Sequence, residues 1–126
     1  MPPTLHDIAQ ALEAWAPPAS AQSYDNVGVQ VGDAGRPVER ALIALDLTAQ
    51  VIAEAERRGA TLILTHHPLI FRPLKSVTSG SGPSGLAFRL AEKGIALYSI
   101  HTNLDAAHGG VSFALAEQLG LQDVRF

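Results

Sequence analysis

The stretch Thr61-Leu62-Ile63-Leu64-Thr65-His66-His67-Pro68 decides how this chain is read. Its first five residues are a short, continuously apolar run, the pattern of a strand buried on both faces of a sheet. Strands of that kind belong to parallel sheets, whose crossovers are helices. The flanking sequence agrees. Upstream, Thr48 is placed to cap a helix through Arg58, with Val51, Ile52 and Ala55 facing inward and Gly59 at its end. Downstream, Ser84 is placed to cap a helix to Lys93, with Leu86, Phe88 and Leu90 supplying apolar area and Gly94 closing it. Strand-like runs at residues 40–47 and 95–100 bracket the two helices. The spacing therefore predicts an α/β fold: a mixed β-sheet with parallel strands, flanked by helices.

Further out, Thr4 and Asp7 have the spacing of a capping box, and Leu5, Ile8, Leu12 and Trp15 make one helical stripe. Pro17-Pro18 stops that helix. Val27, Val29 and Val31 alternate as in a strand, and residues 32–37 form a turn. This strand and the run at 40–47 are expected to pair as a hairpin with a long loop. A last helix is expected over residues 111–119, closed by Gly120. No repeat or linker divides the chain, so residues 1–126 read as one domain.

Composition narrows the function. Apolar residues make up 47% and charged residues 17%, enough for a packed core and against disorder. The net charge of −3 argues against a broad phosphate-gripping face, and the only Lys/Arg cluster is Arg57-Arg58. There is no cysteine, which excludes disulfides, thiol catalysis and thiolate-held zinc. No apolar run is long enough to span a bilayer, and no secretory signal is visible at the amino terminus. The expectation is a soluble, cytoplasmic protein that binds neither membrane nor nucleic acid.

The reactive side chains gather at strand ends. His66 and His67 follow the central run; His101, Asn103 and Asp105 follow the strand at 95–100; Asp46 follows the run at 40–47. Ligands of parallel α/β sheets bind outside the carboxyl ends of the strands, so these groups should converge. A His-His pair alone is a common surface feature; its weight as a metal site comes from His101 and Asp105 at a second strand end. Neighbouring side chains on an extended segment diverge, and Pro68 biases His67 towards that conformation, so two adjacent ions suit the pair better than one. Imidazoles with a carboxylate, here Asp105 in a bridging role, suit zinc, iron or manganese. Two such ions about 3.5–4 Å apart polarise a substrate oxygen and generate hydroxide near neutral pH. Asp46 reads more simply as a turn residue beside a helix start, and His6 and His108 as solvated. Residues 76–85, rich in Ser and Gly, read as a flexible loop in preference to a lid or phosphate nest.

Thr65-His66-His67-Pro68-Leu69-Ile70-Phe71 and His101-Thr102-Asn103-Leu104-Asp105-Ala106 resemble the signatures of the Nif-three-like dinuclear-metal proteins, also described as GTP cyclohydrolase 1 type 2 homologues. Tyr24-Asp25-Asn26-Val27-Gly28, Ala44-Leu45-Asp46-Leu47-Thr48, Gly109-Gly110-Val111 and Leu119-Gly120-Leu121 match the family's other signatures in the same order. The resemblance spans essentially the whole chain and implies the family's three-layer fold. It implies that His66, His67 and Asp105 are metal ligands for two divalent ions, each histidine serving a different ion with the aspartate between them. His101 would line the site as a weaker ligand or proton-handling group. A homo-hexameric ring with its metal sites facing an internal cavity is also implied.

Family members have been linked to opening of the guanine ring of GTP. The resemblance thus points to a metal-dependent hydrolase in which metal-bound hydroxide attacks a purine ring carbon or a phosphate ester, with a nucleotide as substrate. Arg72 and Lys75 are the nearby cations for a triphosphate, though ordinary surface charge explains them equally simply. A non-catalytic metal-binding regulatory or interaction module is the other reading. The family's remaining His and Glu ligands lie in a C-terminal His-x-x-x-Glu-like segment, and no His follows His108 here. The chain is therefore expected to match the N-terminal portion of a longer family chain, with three protein ligands too few to fill two ions unaided.

Overall fold

The computed structural model describes residues 1–125. In chain order the elements are α1 (Leu5–Trp15), a 3₁₀ turn (Pro18–Ser20), β1 (Gly28–Val31), β2 (Ala41–Ala44), α2 (Ala49–Arg58), β3 (Leu62–Thr65), α3 (Gly82–Lys93), β4 (Ala96–Ser99), α4 (Thr102–Ala106) and α5 (Val111–Gln118). The strands form one sheet in the order β1-β4-β3-β2. β2 and β3 run parallel, as do β3 and β4, while β1 lies antiparallel to β4. The mixed, helix-flanked sheet read from the apolar runs is therefore present.

Side chains alternate across the two central strands, and each face has its own core. Ile63 and Leu97 pack with Ile52 and Ala55 of α2 and Leu90 of α3. Leu62, Ala96 and Tyr98 pack on the other face with Leu5 and Ala9 of α1. This double burial is why the runs in β3 and β4 are apolar at consecutive positions. No described helix is long and apolar enough to cross a membrane.

The helix ends follow the sequence signals. Thr4 Oγ1 accepts from Asp7 N at 3.2 Å and Asp7 Oδ2 accepts from Thr4 N at 2.8 Å, completing the capping box of α1. Thr48 Oγ1 accepts from Val51 N at 3.2 Å at the start of α2. Gly59 and Gly94 end α2 and α3 in the left-handed conformation, at φ 65° and 64°.

Two expectations need correction, and one element is additional to them. β1 and β2 do not form a hairpin; they stand at opposite edges of the sheet. The turn between them is held by α1 instead: Arg36 O accepts from Leu5 N, and Ala34 O from His6 N, each at 2.9 Å. That anchorage carries the chain across the end of the sheet, so β2 joins β3 and β1 pairs with β4. Helix α3 starts at Gly82, before Ser84, because Pro83 suits the first helical turn. Ser84 serves the preceding loop instead. Its Oγ donates to Ser76 O at 2.7 Å and accepts from Thr78 N at 3.3 Å, tying the Ser/Gly-rich segment to the helix. Finally, the short helix α4 has no apolar stripe, and no sequence signal predicts it.

Candidate metal centre

The parallel register builds the site. Ala44 pairs with Thr65, and Thr65 with Ser99, so three strands end in step. The ladder continues one residue further: Leu45 O accepts from His67 N at 3.0 Å and Thr65 O accepts from Ile100 N at 2.9 Å. Asp46, His66, His67 and His101 therefore leave the sheet at one corner. Antiparallel pairing of Gly28 with Ser99 brings the start of β1 to the same corner, and Asp25 with it.

Local bonds fix the turn out of β3. Thr65 Oγ1 donates to His67 O at 2.9 Å and lies 3.0 Å from Ser99 Oγ. Beyond the histidines, Gln30 Oε1 accepts from Ile70 N at 2.8 Å, and Asn26 Nδ2 donates to Ile70 O. The segment after Pro68 is thus docked on β1. Asn103, fully buried, accepts from His101 N and donates to Ala16 O, each at 2.9 Å, and so joins the end of α1 to the start of α4.

The rings of His66, His67 and His101 form a near-equilateral group, with centroid separations of 5.3, 5.0 and 5.5 Å. One ring nitrogen from each lies within 4.8 Å of those from the other two. Adjacent His66 and His67 do not diverge as they would on an extended strand, so the expectation of separate ions drawn from that divergence is corrected, and a count of two rests on the family resemblance alone. Strand β3 ends at Thr65 and the backbone bends through both histidines, which turns the rings to the same side.

The chemistry of the group rests on where Nδ1 of each ring goes. His66 Nδ1 lies 2.9 Å from Ile100 O, His67 Nδ1 2.7 Å from Asp46 Oδ1, and His101 Nδ1 3.0 Å from Asp25 Oδ1. A carbonyl and two carboxylates only accept, so each neutral ring carries its proton on Nδ1 and keeps the Nε2 lone pair free. Histidines that ligate metals are oriented in this way, with the second nitrogen donating to a carboxylate or carbonyl. Asp105 Oδ1 stands 3.7 Å from His66 Nε2, adding a carboxylate beside the imidazoles. The donor set of nitrogen and carboxylate oxygen fits zinc, iron or manganese.

Asp25 is the most constrained acid here. Its side chain is 0% exposed. It accepts from Asn26 N at 2.8 Å, from His101 Nδ1 at 3.0 Å and from Thr102 N at 3.1 Å, and Thr102 Oγ1 also donates to it. Burial pushes its pKa up, but the bonds from Thr102, His101 and Asn26 together hold it below the ordinary carboxylate value.

The four residues proposed from sequence, His66, His67, His101 and Asp105, are brought to one place, with Asp105 beside His66 and outside the close imidazole group. Asp46, read as a turn residue, also holds His67. Asp25 is a participant that the sequence does not single out, although its motif carries part of the family resemblance. Only topology reveals its part, because it acts 76 residues away from His101. Arg72, Lys75, His6 and His108 are exposed. The ring of His108 packs against Phe113 at 5.0 Å, and its carbonyl accepts from Trp15 Nε1 at 2.9 Å.

A family model described as Duf34/NIF3 (NGG1p interacting factor 3) matches residues 3–126. The chain belongs to this family. Among the relatives of this NIF3-family chain is a GTP cyclohydrolase 1 type 2 homolog of Clostridium perfringens, 43% identical over 116 residues, which are 92% of this chain and 44% of the relative. A protein of the same description from Halalkalibacterium halodurans is 41% identical over 117 residues, 93% of this chain and 32% of that one. A solved Bacillus cereus protein related to NIF3 superposes with a TM-score of 0.88 at 42% identity, covering 96% of this chain and 34% of its own. The chain thus spans less than half the length of these relatives.

Proposed function

We propose that this chain supplies the N-terminal share of a two-metal centre, with His66, His67 and Asp105 as ligands and His101 beside them as a weaker ligand or proton-handling group, and that the centre serves hydrolysis of a nucleotide-like substrate. The observation that carries the reading is the commitment of all three Nδ1 atoms to acceptors, which leaves three Nε2 lone pairs beside a carboxylate. Divalent ions bound there would polarise a substrate oxygen and activate water near neutral pH. The protein's own part is to hold the rings at a fixed spacing and to fix the orientation of His101 through the Asp25 carboxylate. Two four-coordinate ions need about eight ligand positions, so further protein groups, substrate and water complete the set.

The nucleotide class comes from the description of the relatives as GTP cyclohydrolase 1 type 2 homologs. A cytoplasmic setting and a ring of six copies belong to the same proposal. So does the correspondence of residues 1–126 to one domain within a longer family chain, supported by the small share of each relative that the match covers.

Elemental mass spectrometry of the purified protein, with His66→Ala alongside, tests the centre. About two ions per chain, falling in the variant, is the expected result. Equal, negligible metal in both would end the metal reading. Release of product from GTP or a phosphodiester by the metal-loaded protein, lost in His67→Ala, would establish turnover. Metal binding with no turnover on any substrate favours the regulatory or interaction role.

A further inference from the structure

The three imidazoles are held by three different acceptors, and the difference has consequences. His66 is held by a backbone carbonyl that no side-chain substitution can remove. His67 is held by Asp46, whose side chain is 56% exposed, and His101 by Asp25, whose side chain is 0% exposed. Water readily takes the place of an exposed acceptor, whereas a buried donor that loses its partner has no substitute.

We propose that Asp25 and Asp46 are positioning residues of this centre, each fixing one histidine as the Nδ1–H tautomer, and that Asp25 is the dominant one. The proposal rests on the metal-centre reading for its purpose, but the tautomers can be read without metal. Neither acid is given a role by the family resemblance or by the family assignment.

The bonds around Asp25 say why an amide cannot replace it. Oδ1 takes both Asn26 N and His101 Nδ1, and Oδ2 takes both Thr102 N and Thr102 Oγ1. Each oxygen faces one backbone N–H, which can only donate. An asparagine has one oxygen and one NH₂, so one backbone donor must face the NH₂ whichever way the amide lies. Asn26 is the neighbouring residue and adjusts its own turn, whereas Thr102 N opens α4 and is fixed by the helix. The amide oxygen therefore goes to Thr102. The NH₂ then meets His101 Nδ1, which must give up its proton and accept, and the proton moves to Nε2. That nitrogen is no longer a ligand. Asp46 has no such second backbone donor, so Asp46→Asn can keep its oxygen on His67, and only Asp46→Ala removes the acceptor.

The test is long-range ¹H–¹⁵N correlation of the imidazole rings in metal-free protein at about pH 8, where a histidine of ordinary pKa is neutral. The wild type is expected to show Nδ1–H on His66, His67 and His101. Asp25→Asn should convert His101 to Nε2–H and leave His66 unchanged as the internal control. Asp46→Ala should shift His67 to a mixture, and Asp46→Asn should not. Zinc affinity, measured by competition with a chromophoric chelator, should fall in both Asp46→Ala and Asp25→Asn, by no more than about 10- to 100-fold.

A His101 that keeps Nδ1–H in Asp25→Asn, or an Asp25→Asn zinc affinity equal to the wild type's, overturns the proposal. Should Asp25→Asn fail to fold, the exposed Asp46→Ala carries the decision: an unchanged His67 tautomer overturns, a mixture supports. A wild type that binds no zinc yet shows these tautomer shifts would sink the metal reading while upholding the positioning roles.

Discussion

Ala41-Leu42-Ile43-Ala44 in β2 and Ala96-Leu97-Tyr98-Ser99 in β4 are strands of equal length and similar apolar character, yet they live in opposite surroundings. Every residue of β4 is buried, while Ile43 in β2 is 79% exposed. The difference is position. β4 has a hydrogen-bonded neighbour on each side and a core on each face, whereas β2 is an edge strand with β3 alone beside it. Ile43 and Leu45 both stay open to solvent, as does half of Trp15 on α1. An apolar run therefore identifies a strand without saying how deeply it lies. Place in the sheet order decides that, and it decides what each residue is worth.

The largest effect that would sharpen this contrast is at Leu97. Leu97→Ala should destabilise the fold by about 3 kcal/mol in urea or guanidinium denaturation, since the side chain is fully buried against residues of α2 and α3 and the surroundings of such a cavity relax only in part. A loss under about 1 kcal/mol would mean that β4 is no more essential than the edge.

A middle-sized effect belongs to Tyr98. Its hydroxyl is buried and makes no hydrogen bond of normal length among the described residues; its polar neighbour is the Glu13 side chain. Burial first, then the charge of the Glu13 carboxylate, pushes its pKa up to about 12. Since the folded value lies above the unfolded one near 10, this group's contribution is complete below about pH 10 and is lost as pH rises towards 12. Tyr98→Phe should therefore be within about 1 kcal/mol of the wild type at pH 7, because no hydrogen bond of normal length is broken, and should lose less stability between pH 10 and 12. Parallel alkaline curves for the two proteins would contradict the assignment.

The smallest effect is at the edge. Ile43→Ala should change stability by no more than about 0.5 kcal/mol, because the side chain removes little apolar area from water. A cost approaching that of Leu97→Ala would show that β2 is covered in solution.

Much of this is legible in the sequence, for physical reasons that differ from place to place. The capping residues Thr4 and Thr48 and the closing glycines at 59 and 94 are local signals, and the structure uses each as such. The apolar run of β3 and the histidines behind it announce a parallel sheet with a site at its carboxyl end. The false hairpin shows the limit of local reading. Nothing within residues 28–44 says that the intervening turn is pinned to α1, because the donors are the backbone N–H groups of Leu5 and His6. Asp25 escapes for the same reason. A lone aspartate in a turn is common, and only the pairing of Gly28 with Ser99 makes it a neighbour of His101. Asp46 reads as a turn residue, and that explanation is correct as far as it goes. The bend at His66 and His67 is set by Thr65 and Ser99, which look in sequence like two ordinary hydroxyls.

The antiparallel pairing of β1 with β4 also has a consequence for the order of events during synthesis. β1 leaves the ribosome long before the strand it will pair with, and Asp25 and Asp46 precede the rings they come to hold. These two acceptors are thus made before their donors, whereas the carbonyl that holds His66, that of Ile100, is made after it. The last strand of the sheet to be made is also the one that brings His101, so the corner cannot be completed before that strand is made. Contacts of such long sequence separation form slowly. A growing chain therefore carries His66 and His67 without the third ring, with less power to capture a stray ion until the sheet is complete.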